Sequence, residues 1–276
     1  MSRKAKTSRI SSRSIAGFRR EVWNFYDASG RHDVSWRRTK NPYCILVSEM
    51  MLQQTQVSRV LEKHVKFLKA FPTVRVLAEA SLADVLRAWN GLGYNRRGKY
   101  LHDAARIIMR DYGGAVPAAY SQLVELPGVG AYTASAVRVF AFNESDILIE
   151  TNIRAAVIHA FFPQATNVHD RELLWLLEKL NKDQRPREWN WALMDYGAYI
   201  KRLCRNPARR SAHYARQSKF EGSLRQARGA ILRALTSGQN INGLRNRYMG
   251  RFGKALASLE RDQIIARKNK HSWVIS

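Results

Sequence analysis

Two acids and one glycine loop are the groups in this sequence whose types and spacing could do chemistry. Glu49 lies in Ser48-Glu49-Met50-Met51-Leu52-Gln53-Gln54-Thr55-Gln56, an acid in an otherwise apolar and amide-rich stretch. An ionised carboxylate among Met50, Met51 and Leu52 is costly unless solvated or paired. Burial there raises its pKa and makes it a proton donor, whereas on an outer helix face it would be a surface acid. Glu150 follows Leu148-Ile149 and precedes Thr151-Asn152-Ile153-Arg154. It can serve as a second functional carboxylate or simply suit the positive end of a helix. Leu126-Pro127-Gly128-Val129-Gly130 sits between two short helical patterns. Its glycines permit positive φ and close backbone approach. The helix after it offers free N–H groups to an anion. That is the layout of a phosphate clamp, which fixes register on a nucleic-acid backbone without reading sequence, although a Pro-Gly turn between helices looks the same.

The elements that must position these groups are helical. Apolar residues recur at helical spacing over 15–28, 42–56, 60–68, 81–89, 97–112, 120–125, 132–142, 152–162, 170–180 and 187–203. Pro42 suits a first turn, Ser81 an N-cap and Gly113-Gly114 a helix stop. A tail of three helices, 224–235, 241–248 and 252–261, precedes two β-prone runs around Asn269-Lys270, a winged-helix-like pattern. The 276 residues hold 47 basic and 22 acidic side chains, a net charge of +25. Residues 1–42 carry eleven basic and three acidic groups, and residues 201–276 carry 18 and three, so a nearly neutral body has two cationic ends. Such ends favour a polyanion, since each neutralised phosphate releases counterions. Two cysteines, Cys44 and Cys204, exclude a disulfide framework and suggest a reducing, cytoplasmic compartment. No apolar run reaches the roughly 20 residues that span a bilayer, so no membrane partner is expected.

Together these motifs resemble the MutY branch of the helix-hairpin-helix (HhH-GPD) DNA glycosylase superfamily over roughly residues 30–200. Ser48–Gln56, Gly91-Leu92-Gly93-Tyr94, Leu126–Gly130, Trp36-Arg37, Asn152 and Met194-Asp195-Tyr196-Gly197-Ala198 all match in order. The resemblance implies a mainly α, two-lobed glycosylase fold, to which the tail pattern adds a basic C-terminal winged-helix-like module. The expected division is a disordered basic arm at 1–14, read from its charge, a six-helix barrel domain at 43–144, a second helical domain at 15–42 plus 145–222, and the module at 223–276. It makes Glu49 the acid that protonates the departing base and Glu150 the carboxylate that stabilises the sugar cation. Asn152 and Tyr132 would support that cation and place the attacking water. Leu52, Gln54 and Tyr94 would wedge into the duplex around the flipped base, and Arg37 would line the pocket. Gln53, Thr55, Gly128, Val129 and Gly130 join the expected DNA contacts. Tyr132 stands where lyase members carry lysine, so a monofunctional enzyme is expected.

Three features depart from the family. The usual four-cysteine cluster loop is missing, since residues 201–217 hold only Cys204. Arg209, Arg210 and Lys219 occupy that region and are expected to contact phosphate in its place. No cofactor is therefore expected, with a monovalent cation at the hairpin loop as the remaining candidate and no other metal. Glu150 replaces the family's aspartate, and a basic winged-helix-like tail is expected in the place of the domain with which adenine-removing members recognise 8-oxoguanine. The expected partner is duplex DNA with a mispair or damaged base, bound by a monomer, in the cytoplasm or on a bacterial nucleoid. Adenine opposite guanine or 8-oxoguanine is the expected substrate. A thymine or uracil mismatch glycosylase and a non-catalytic DNA-binding homologue remain open.

Overall fold

The structure, a computed structural model, describes residues 12–269 and 272–276. Most of the expected basic arm lies outside the described residues, and residues 12–14 open a helix instead of extending that arm. The chain divides into two compact units. One comprises Asn41–Thr133 with Gln217–Ser276, and the other Ala134–Arg216 with the residues up to Lys40.

The first unit begins with α2 (Pro42–Leu52), α1 (Ser12–Ser29) belonging to the other unit. Asn41 caps α2 by accepting from the N–H groups of Tyr43 and Cys44, with Pro42 in the first turn. Every residue of α2 from Ile45 to Met51 is buried, so the helix has no polar stripe. It was expected to reach Gln56 but stops at Leu52. Gln54 takes a left-handed φ of 55°, and the Thr55 N–H turns back onto the Leu52 carbonyl. Then follow α3 (Val57–Ala70), α4 (Val74–Glu79), α5 (Leu82–Trp89), α6 (Arg96–Tyr112) and α7 (Tyr120–Glu125). Six-residue α4, capped by Thr73, is too short to show a period and was not anticipated. The Ser81 hydroxyl caps α5 as expected, and left-handed Gly113 ends α6. Next, α8 (Ala131–Val137) starts in this unit and ends in the other.

The C-terminal residues form α12 (Leu224–Thr236), α13 (Gly243–Arg247), α14 (Phe252–Arg261) and an antiparallel hairpin of β1 (Ile265–Asn269) and β2 (Ser272–Ile275). The three helices and hairpin expected from the sequence are present. Their core does not stand alone. Leu82 and Leu86 of α5 are buried in the same cluster as Ile231, Leu232, Leu259 and Ile264. The Arg87 guanidinium donates to the Thr236 carbonyl, and Asp262 accepts from both Arg228 and Arg96.

The second unit holds α1 (Ser12–Ser29), α9 (Thr151–Phe161), α10 (Asp170–Asn181) and α11 (Pro186–Leu203). Phe18 and Phe25 of α1 meet Tyr196 of α11 edge-on, and Trp23 packs on Trp189. Helices α9 and α11 come together at Gly197, where an added Cβ would lie 1.9 Å from the Asn152 carbonyl oxygen. No side chain larger than hydrogen fits there.

Candidate active site

Glu49 is 6% exposed in the middle of α2, between buried Ser48 and Met50. The helix places it, and the turn after the helix is fixed by polar contacts. The Gln53 side-chain amide donates to the Gly128 carbonyl (3.2 Å) and the Thr133 hydroxyl (3.1 Å), tying the end of α2 to the glycine loop. Leu52 is half-buried and Gln54 exposed. The Thr55 hydroxyl donates to the Leu92 carbonyl (3.2 Å).

Sequence reasoning missed the residue at the centre of this region. Buried Arg97 donates to the carbonyls of Met50 (2.7 Å), Met51 (2.9 Å), Leu92 (3.2 Å) and Gly93 (3.1 Å), and to the Thr55 hydroxyl (3.0 Å). One guanidinium thus joins the end of α2 to the loop before α6. Burial lowers its pKa to about 10, which keeps it charged at neutral pH. In the sequence, Asn95-Arg96-Arg97 reads as surface charge, and nothing local distinguishes Arg97 from Arg96.

The glycine loop is shaped by packing as well as by φ. Gly128 has φ 76°, and a Cβ there would lie 2.6 Å from Met50 Cε and 2.9 Å from Tyr100 Cβ. The Val129 side chain is buried, and its N–H donates to the Leu126 carbonyl (3.0 Å), so this expected DNA contact serves the core. Gly130 is exposed, and Tyr132 is half-buried in the first turn of α8. The Leu126 carbonyl accepts from the Val129 N–H and the Gly128 carbonyl from Gln53 Nε2. Tyr94, expected as a wedge, has a left-handed φ of 46° and is half-buried.

In the second unit, Glu150 is the N-cap of α9. Its Oε1 accepts from the N–H groups of Asn152 (2.8 Å) and Ile153 (2.9 Å), and its Oε2 from the Asn152 side-chain amide (3.2 Å). Lys201 Nζ donates to Asn152 Oδ1 (3.0 Å). Burial pushes the Glu150 pKa up, while the two backbone N–H groups, Lys201 and Arg154 oppose the rise. The longer acid therefore folds back to cap the helix with the hydrogen bonds a shorter aspartate makes at such a position.

Arg37 does not present a free guanidinium. It grips Asp195 through both nitrogens (2.7 and 2.8 Å) and lies over the Trp191 ring, while Arg31 also binds Asp195. Burial alone would raise the Asp195 pKa, but the Arg37 and Arg31 contacts outweigh it and hold the group below the usual carboxylate value. Arg210 is likewise engaged within the protein, on the carbonyls of Ile158, Phe162 and Pro163 at the end of α9. Arg209 and Lys219 are exposed.

An iron–sulfur cluster needs about four thiolates. Cys44 and Cys204 fall in different units, and the Cys204 thiol donates to the Ile200 carbonyl (3.3 Å). The segment after it is closed by protein contacts. Asn206 accepts from the Ala208 N–H, Arg210 clasps the end of α9, and Val168 pairs with Ser211. These residues do not fit a cluster. Among the described residues, no group of three or more His, Cys, Asp or Glu could hold a metal ion, and no helix is long and apolar enough to cross a membrane.

A family profile for the HhH-GPD superfamily base excision DNA repair proteins matches residues 47–186. The chain belongs to that superfamily, in its MutY-like branch. It is 35% identical over 184 residues to the adenine DNA glycosylase of Buchnera aphidicola subsp. Baizongia pistaciae, across 66% of this chain and 52% of that protein. It is 38% identical over 236 residues to the adenine DNA glycosylase of Mycobacterium tuberculosis (strain CDC 1551 / Oshkosh), across 78% and 77%. The chain thus spans about half the length of the first relative and about three quarters of the second. Among solved structures it resembles a thermostable thymine-DNA glycosylase, with TM-score 0.59 and 26% identity over 67% of this chain and 87% of that one.

Proposed function

We propose that this chain is a monofunctional DNA glycosylase that hydrolyses the N-glycosidic bond of adenine mispaired with guanine or 8-oxoguanine. The observation that carries this reading is the acid of Glu49, buried in a largely apolar helix of a chain 38% identical to a protein named adenine DNA glycosylase. In this mechanism Glu49 gives its proton to a ring nitrogen of the flipped base. The C–N bond breaks, the sugar carbon becomes cationic, and water adds its oxygen there while releasing a proton. Glu150 supplies the anion opposite that cation. The N–H groups of Asn152 and Ile153, with Lys201 and Arg154, favour its ionised form against the rise that burial causes. Asn152, held between Glu150 and Lys201, fixes its orientation. Tyr132 has no amine to attack the sugar carbon, so the product is an intact abasic strand.

Exposed Gln54, Gly130, Arg209 and Lys219, with half-buried Leu52 and Tyr94, are the proposed DNA contacts. Arg37, Arg210, Gln53, Thr55 and Val129 act behind them, on the protein's own shape. The protein works as a monomer on duplex DNA in the cytoplasm, with no bound cluster and with a monovalent cation at the hairpin carbonyls as the one ion it would accept.

Base release from duplexes holding A·8-oxoG, A·G, T·G and U·G tests the reading. Release of adenine is expected. Release of thymine or uracil alone would favour the second reading, which the thymine-DNA glycosylase likeness supports. Binding with no release from any duplex would leave a non-catalytic DNA-binding protein. Tyr132→Lys is expected to form an imine that borohydride traps on DNA. No trapped complex would mean that position 132 does not face the sugar.

A further inference from the structure

Tyr94 is held by residues far from it in sequence. It closes Gly91-Leu92-Gly93-Tyr94, in which Gly91, Gly93 and Tyr94 have φ of 93°, 71° and 46°. Glycine adopts such angles freely, but in tyrosine they are strained and persist only where the surroundings impose them. Part of the imposition comes from beneath. Arg97 holds the carbonyls of Leu92 and Gly93, and Trp89 Nε1 donates to Gly93 (3.2 Å). The rest comes from the C-terminal residues. The Tyr94 hydroxyl oxygen accepts from Gln217 Nε2 (2.6 Å) and Arg225 Nη1 (3.0 Å). The Arg225 guanidinium also lies 5.3 Å from the Tyr94 ring centroid and donates to the Ser218 carbonyl (2.6 Å). Arg225 sits in the first turn of α12, and α12 is fixed on α5 by a shared core and on α6 through Asp262. The grip on Tyr94 therefore rests on packed helices.

We propose that Arg225, assisted by Gln217, is a positioning residue that sets the Tyr94 ring before DNA arrives, so that the ring meets the base stack without further ordering. This rests on the glycosylase reading above. Fixing an aromatic side chain in advance removes part of the ordering cost of binding, so the effect belongs in affinity and KM more than in the chemical step. It also gives the C-terminal module a purpose beyond its charge.

The test is a double-mutant cycle in the full chain, on a duplex holding A opposite 8-oxoguanine. Arg225→Ala is expected to raise Kd and KM roughly fivefold while single-turnover release at saturating enzyme stays within about twofold. Arg225→Lys should recover part of the loss. In a Tyr94→Ala background, which lacks both the accepting oxygen and the ring, Arg225→Ala should change Kd by less than about twofold. Gln217→Ala, on an exposed loop, should reproduce a smaller version of the effect with an unchanged unfolding midpoint. The proposal is overturned if the two substitutions multiply. It is also overturned if Arg225→Ala lowers the salt slope of log Kd by about one, the mark of a direct phosphate contact. The cycle is read in binding as well as in release. A protein that releases no base defeats the glycosylase reading, whereas multiplying effects with normal release defeat only the positioning.

Discussion

Glu49 and Glu150 are the same residue type prepared in opposite ways. Glu49 lies in mid-helix between buried Ser48 and Met50, and the packed helix α2 places it. Glu150 lies at a helix end with three N–H donors on its two oxygens, and hydrogen bonds hold it. An acid in mid-helix is placed by the packing of its helix, and one at a helix start is also aimed by the N–H groups it caps. The difference teaches that an acid's surroundings are set by the element that carries it, the middle of a buried helix for one and a helix start for the other.

The largest expected effect breaks the Glu49 side of this comparison. Glu49→Gln keeps the size and polarity of the side chain but has no proton to give. Base release should fall about 10³-fold with duplex affinity within about threefold, measured by single-turnover release and fluorescence anisotropy. A loss below tenfold would assign the proton to another group. Next comes Gly197→Ala, which forces α9 and α11 apart at Asn152. It should cost about 3 kcal/mol in urea denaturation and slow release by shifting the Asn152–Glu150 pair. An unchanged midpoint would mean that the helices separate freely and that the close approach sets nothing.

The smallest effect sharpens the Glu150 side. Its folded pKa is raised, so its contribution to stability is intact below the ordinary carboxylate value and is lost as pH climbs through the folded one. Glu150→Gln retains an acceptor for the α9 N–H groups and removes the buried charge. The variant should therefore melt roughly 2 °C higher than the parent at pH 7 and equally at pH 4, although it releases base more slowly. A lower midpoint at pH 7 would show that the charge on the cap outweighs its burial.

Much of the fold was legible because its signals are local. Ser81, Gly113 and Pro42 mark helix boundaries by their own chemistry, and the helical periods around them hold. The end of α2 was not legible, because Gln54 takes a left-handed backbone without glycine to announce it. The glutamates, the glycine loop and Asn152 could be singled out from motif and residue type. The arginines could not. Arg37 reaches Asp195 across 158 positions and Arg210 reaches Ile158 across 52, so a cation expected to line the pocket and one expected on phosphate are both engaged by contacts that only the folded chain creates. Arg97 reverses the case, looking like plain surface charge and proving to be the link between two loops.

The sharing of one apolar cluster by α5 and the C-terminal helices has a practical corollary. Cutting the chain near residue 223 to remove its cationic end would bare Leu82 and Leu86 to water, so the shortened protein would fail for want of cover before its electrostatics could be judged. Neutralising exposed arginines one by one, such as Arg245, Arg247 and Arg251, leaves that cover in place and asks the electrostatic question by itself.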